Sequence, residues 1–217
     1  VIGSVYDDLL TGDSNANSLQ GGAGDDTLIG GAGSDTLDGG LGTNTADYSA
    51  SSAGVTVNLT NTGAQSSSGD ASGDHLLNIA NVTGSSSVDS LIGDGNANVL
   101  LGGGGNDTIS GGVGADTLDG GTGNNTVDYS SSSAGVSVNL AVTTAQTSGG
   151  DASGDVLANF QNITGSAYDD ALVGTSAANL MLGGGGDDTL TGGGGADTID
   201  GGSGTNTASY STSTAGV

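Results

Sequence analysis

The chain has 217 residues, with 24 acidic residues against no Lys, no Arg and a single His, for a formal charge of −24. Every acid is Asp, glycine supplies 46 residues, aromatics make up 3 %, and Pro, Cys and Trp are absent. So little apolar material argues against an ordinary hydrophobic core, the absence of Cys and the single His against zinc, and the lack of Lys and Arg against nucleic acid or an anionic membrane surface.

Five nine-residue segments open the chain: GSVYDDLLT (3–11), GDSNANSLQ (12–20), GGAGDDTLI (21–29), GGAGSDTLD (30–38) and GGLGTNTAD (39–47). Each begins with Gly, carries Asp or Asn sixth (Asp8, Asn17, Asp26, Asp35, Asn44) and an apolar residue eighth (Leu10, Leu19, Leu28, Leu37, Ala46). Residues 48–83 break the pattern. There GVTVNLT (54–60) alternates apolar and polar residues, predicting a half-buried strand. SSSGDASGD (66–74) follows and reads as a loop, and LLNIANVTGS (76–85) re-enters the array.

The same order then returns after 81 residues, with a second array at 84–128, a block at 129–164 and a third array at 165–209. In the second block GVSVNLA (135–141), TSGGDASGD (147–155) and LANFQNITGS (157–166) stand where their counterparts stood. Tyr48, Tyr129 and Tyr210 keep this register, as do Leu10, Leu91 and Leu172. The expected organisation is one continuous solenoid of units 1–81, 82–162 and a partial 163–217. The sequence stops at TAGV (214–217), where earlier copies run on toward a strand. More repeats, or a neighbouring subunit, are expected to continue both ends.

Six residues rich in Gly, Asn and Asp turn the chain, and three such as Thr27-Leu28-Ile29 make a strand whose middle side chain points opposite to its neighbours. Eighteen residues then form a coil with two strands. Such a coil cannot bury its apolar stripe alone, so coils must stack. The expected fold is all-β, a right-handed parallel β-roll or β-solenoid with two-stranded coils. At about 4.8 Å per stacked strand, a unit advances the roll by roughly 20 Å and the chain forms a rod of about 50–60 Å. Asp carboxylates and backbone carbonyls are hard oxygen ligands, so Ca²⁺ is the expected source of the missing stability.

GGAGDDTLI, GGAGSDTLD, GGVGADTLD (111–119) and GGGGADTID (192–200) resemble the RTX (repeats-in-toxin) nonapeptide, G-G-x-G-x-D-x-apolar-x. The resemblance implies several Ca²⁺ ions held between turns of successive coils on one edge, by sixth-position Asp carboxylates and Gly-turn carbonyls. Carried onto this chain, it pairs Asp8 with Asp26, Asp89 with Asp107 and Asp170 with Asp188, two carboxylates each. It also pairs Asp35 with Asn17, Asp116 with Asn98, Asp197 with Asn179, Asp26 with Asn44, Asp107 with Asn125 and Asp188 with Asn206. The two-carboxylate pairs are expected to bind tightest. The second nonapeptides, such as GDSNANSLQ, lack the double Gly that sets the carbonyls.

Other acids read differently. Asp7, Asp25 and Asp169 at position five and Asp38, Asp119 and Asp200 at position nine are expected to be solvated, while Asp70, Asp74, Asp151 and Asp155 form a further possible ion site. The recurrent Tyr is expected to cap the core with its hydroxyl at the surface. NVT (81–83) and NIT (162–164) match the glycosylation sequon but fall in strand-like segments. His75 becomes Val156 in the next copy, and no second His or Lys is present to activate a nucleophile, so no enzyme is expected.

Three functions fit. The first is a calcium-binding structural element of a secreted bacterial protein (fibre, surface layer or adhesin stalk) that folds on meeting Ca²⁺ outside the cell, with further copies of itself end to end as partners. The second is the secretion and folding module of an RTX toxin or exported enzyme. The third is calcium buffering, or ice or mineral binding on a flat face. Long near-identical units favour the first. No run approaches a transmembrane span, and membrane insertion is not expected.

Overall fold

The computed structural model describes residues 1–147 and 149–211, and 21 short strands carry nearly all of its regular structure. The TAGV segment at 214–217 lies outside the described residues. Each array strand shows its origin in the pattern. In Thr27–Ile29 the central Leu28 is fully buried while its neighbours are half-exposed, because successive side chains of a strand point to opposite faces.

The strands form four parallel sheets. The first runs through Leu9–Thr11, Thr27–Ile29, Thr45–Asp47, Asn81–Thr83, Val99–Leu101, Thr117–Asp119 and Val156–Ala158. A short second sheet contains Ser18–Ala23, Thr36–Leu41 and His75–Leu77. The third starts at Thr56–Asn58 and continues through Ser90–Ile92, Thr108–Ser110, Thr126–Asp128, Asn162–Thr164 and Leu180–Leu182 to Thr198–Asp200. The fourth holds Ser137–Asn139, Ala171–Val173, Thr189–Thr191 and Thr207–Ala208. Within the arrays Leu10 lies opposite Leu28, Leu19 opposite Leu37 and Leu100 opposite Leu118. Between facing sheets, Leu19, Leu28, Leu37, Leu91, Leu100, Ile109, Leu118, Leu172 and Met181 are completely buried. The chain is a parallel β-roll, as the nonapeptide pattern predicts.

The 36-residue blocks depart from the two-stranded coil. Thr56–Asn58, His75–Leu77 and Asn81–Thr83 go to three different sheets: the first begins the third sheet, the second closes the short one, and the last extends the first. The second block repeats this with Ser137–Asn139, Val156–Ala158 and Asn162–Thr164. The loop between carries a single 3-10 turn, Gly69–Ala71 in one copy and Gly150–Ala152 in the other.

A glutamine seals the seam between the ending and starting sheets. Gln65 Oε1 accepts from the Asn58 amide at 2.9 Å and Nε2 donates to the Asn58 carbonyl at 3.1 Å. Its backbone meanwhile donates to the Asp74 carbonyl and accepts from Gly73. The buried Gln146 repeats this on Asn139, at 2.8 and 3.2 Å. A carboxamide has one donor end and one acceptor end, like a peptide unit, so it completes the ladder where no strand fits.

Because each block puts two consecutive strands on the same side, Thr56–Asn58 with His75–Leu77 and Ser137–Asn139 with Val156–Ala158, equivalent strands change sides. Those of Leu10, Leu91 and Leu172, spaced by 81 residues, lie in the first, third and fourth sheets. First-sheet and third-sheet strands alternate along the second array and so face each other across the core; third-sheet and fourth-sheet strands do the same in the third array. Successive units are therefore turned about half a revolution.

Candidate metal-binding turns

The sixth residue of each nonapeptide stands at the inner end of its turn, just before a strand. In the third to fifth nonapeptides of each unit its side-chain Oδ1 accepts the backbone N–H of the sixth residue one coil earlier. Asp26 takes that of Asp8 at 2.9 Å, Asp35 that of Asn17 at 2.8 Å, and Asn44 that of Asp26 at 2.9 Å. In the second unit Asp107 holds Asp89 at 2.8 Å, Asp116 holds Asn98 at 2.8 Å, and Asn125 holds Asp107 at 2.9 Å. In the third, Asp188 holds Asp170, Asp197 holds Asn179 and Asn206 holds Asp188 at 2.9–3.0 Å. The residues of every expected pair are thus neighbours on one edge, and the role of Oδ1 explains why position six takes Asp or Asn alike.

The remaining side-chain atoms divide the turns into two kinds. In the first nonapeptide of each unit, Asp8, Asp89 and Asp170 receive on Oδ2 the amide of Ser4, Ser85 and Ser166, at 2.5–2.6 Å. In the second, Asn17, Asn98 and Asn179 accept the amides of Asp13, Asp94 and Thr175 at 2.7–2.8 Å. Asp13 is itself capped by the amide and side chain of Asn15 and by the side chain of Asn17, which hold its carboxyl below the usual range. These turns close on themselves.

In the Gly-Gly turns no such donor arrives. The Oδ2 atoms of Asp26, Asp35, Asp107, Asp116 and Asp188 are buried without any hydrogen-bond partner. A Cβ on Gly21 would meet Asp26 Oδ2 and, at 2.6 Å, the Gly39 carbonyl of the next coil. Gly102 and Gly183 repeat the arrangement with Asp107 and the Gly120 carbonyl, and with Asp188 and the Gly201 carbonyl. Carboxylate and carbonyl oxygens therefore converge over a glycine Cα where no side chain stands.

Four of these five carboxyls also carry an electrostatic cost of burial. Burial pushes the Asp107 carboxyl up to about 6, and raises those of Asp35, Asp116 and Asp188 from their ordinary value. A buried polar atom without a partner costs about 1–3 kcal/mol, more when charged. Five of them amount to a whole domain's margin of about 5–15 kcal/mol. Among the described residues no three acidic or histidine side chains converge, so carbonyls must complete a shell of 6–8 oxygens, the number Ca²⁺ takes. An all-oxygen set of one carboxylate with turn carbonyls fits a hard cation.

Other acids fall elsewhere. Asp7, Asp25 and Asp169 are exposed and serve position five as cross-coil acceptors; Asp25 donates its amide to Asp7 Oδ1 at 2.8 Å. Asp38 and Asp119 are not merely solvated: they accept from the Asn78 and Asn159 side chains, at 2.7 and 2.6 Å. Those two asparagines are the only non-glycine residues with positive φ among the described residues.

The block holds the pieces sequence reasoning missed. Tyr48 and Tyr129 are 2 % and 1 % exposed, and their hydroxyls point inward, donating to Asp74 and Asp155 Oδ2 at 3.0 and 2.7 Å. The expected surface hydroxyl is corrected by this partner: a buried carboxylate draws the phenol into the core. Of the three recurrent tyrosines, Tyr210 alone is exposed. Asp74 and Asp155 also accept on Oδ1 the amides of Asp35 and Asp116, so they occupy the sixth position of a further turn. The signal was present: GDASGDHLL (69–77) and GDASGDVLA (150–158) are nonapeptides by the Gly, Asp and Leu at positions one, six and eight.

The RTX calcium-binding nonapeptide repeat family model matches residues 11–46, 83–127 and 173–208, more than half of the chain. The chain belongs to this family. RTX repeats are structural calcium-binding repeats rather than catalytic ones, and the orphaned carboxylates lie within the matched stretches. A comparison with curated proteins finds no match. No helix among the described residues is long and apolar enough to cross a membrane.

Proposed function

We propose that this RTX roll is the calcium-stiffened structural region of an exported protein, a fibre, surface layer or stalk, which folds when it meets Ca²⁺ outside the cell. The observation that carries the reading is the set of five buried carboxylate oxygens, all on Gly-Gly turns and all without a protein donor. Calcium supplies the missing charge, with turn carbonyls as co-ligands. Extracellular modules bind Ca²⁺ with Kd of roughly 10⁻⁴ to 10⁻³ M, so such sites are empty in a cytosol and fill outside. A site at 100-fold excess over Kd adds about 2.7 kcal/mol. The overlap of sheets from one unit into the next supports a continuous rod rather than separate domains.

Circular dichroism and small-angle scattering, with calcium and then with excess chelator, test this. An elongated β-structured particle in calcium and an expanded chain in chelator are expected. An unchanged β-spectrum and scattering curve in chelator would remove calcium from the account.

A further inference from the structure

We propose that the residue at position two of each nonapeptide decides whether its turn takes a calcium ion, so that ions sit at the Asp-bearing Gly-Gly turns and the first two turns of each unit hold none. This rests on the calcium reading above and narrows it to particular turns.

Glycine at position two takes positive φ, as at Gly22 (111°) and Gly103 (94°). That is a conformation L side chains rarely adopt. In this geometry the sixth-position carboxylate receives no amide from position two, and Oδ2 of Asp26 and of Asp107 is left bare at 1 % exposure. With Ser, Asp or Thr at position two, φ is not positive. The amide then turns in and fills the oxygen: Ser85 donates its N–H to Asp89 Oδ2 at 2.6 Å and its hydroxyl to Oδ1 at 2.9 Å. A carboxylate that already accepts these bonds has its charge met by protein, and an ion entering there would have to displace an N–H. Asp89 and Asp107 are consecutive rungs of one edge, at 2 % and 1 % exposure. Burial and residue type do not separate them; the position-two donor does.

The consequence is a division of labour along the chain. The block and the two nonapeptides after it satisfy their own carboxylates, through Tyr48 on Asp74 and Ser85 on Asp89. The two Asp-bearing Gly-Gly nonapeptides that follow, those of Asp107 and Asp116 in the second unit, depend on the ion.

Native mass spectrometry of the whole chain across a calcium titration counts the ions. Asp107→Asn keeps the Oδ1 acceptor but removes the charge, and is expected to lower the count by one or shift its midpoint at least tenfold. Asp89→Asn is expected to leave count and midpoint unchanged. Ser85→Gly, which frees Asp89 and permits positive φ, is expected to add one ion. Terbium luminescence on the same variants gives a second readout where a variant is too weakly folded for the spectrometer. Equal losses in Asp89→Asn and Asp107→Asn, with no gain in Ser85→Gly, would overturn the proposal while leaving calcium binding intact. A wild-type chain that takes no ion would overturn the calcium reading itself.

Discussion

The Tyr48 hydroxyl donates to Asp74 Oδ2 at 3.0 Å inside the roll, on a carboxylate whose Oδ1 holds the amide of Asp35. The phenol does for Asp74 what nothing in the protein does for Asp35, whose own Oδ2 has no partner. Tyr48→Phe keeps the ring and strands that oxygen. It is expected to cost about 1–3 kcal/mol, read as a lower urea midpoint in saturating calcium. Tyr129→Phe should behave alike. No loss in either would mean that water replaces the hydroxyl.

Acidity should replace part of the metal. Burial lifts Asp74 and Asp155, like Asp107, to about 6, against about 3.9 for an unfolded Asp. Such a group binds its proton more tightly folded than unfolded, so its contribution is present near pH 4 and is lost as pH rises through 6. The calcium-free chain is thus expected to show most β-structure near pH 4 and to lose it toward pH 7. With calcium the trend reverses, because the ligands must be ionised. Circular dichroism against pH in the two conditions should give opposed slopes; parallel slopes would count against the buried carboxyls.

Gln65→Ala removes both halves of the amide bridge to Asn58. The two bonds are buried, so a loss of about 1–3 kcal/mol is expected, with faster hydrogen exchange at Asn58. Gln65→Glu keeps the acceptor-capable atoms but has no N–H for the Asn58 carbonyl, and should recover little.

Asp25 and Asp26 separate surface from site. Asp25 is exposed and accepts only the Thr43 amide, at 2.7 Å, so Asp25→Ala should change stability by less than about 1 kcal/mol and calcium binding not at all. Asp26→Ala should cost calcium affinity in a calorimetric titration. Equal effects would displace the ligand register by one residue.

The periodic part of the fold was legible because each array strand obeys a local rule: Leu28 faces in because it is eighth, and Asp26 ends the turn because it is sixth. Composition also exposed the shortage of stability that the bare oxygens of Asp26 and Asp107 make concrete. The block was only half legible. Its strand at Thr56–Asn58 follows from alternation, but its three-sheet hand-over depends on Gln65 bonding a residue across a loop, a contact no periodicity announces. The inward Tyr48 depends likewise on Asp74, whose place in a ninth-residue frame is hidden by the Ser-rich stretch before it. Nor does the consensus separate Asp89 from Asp107; that difference comes from the Ser85 amide.

The staggered sheets have a mechanical consequence. The first sheet continues past the block where the second stops and the third starts, and the third in turn bridges the block where the first gives way to the fourth. Every joint in one wall is spanned by an unbroken wall opposite, as courses of brick are laid so that no vertical crack runs through. A cable of such units has no cross-section at which all ladders end together, so tension is handed from one side to the other without passing through a weakest plane.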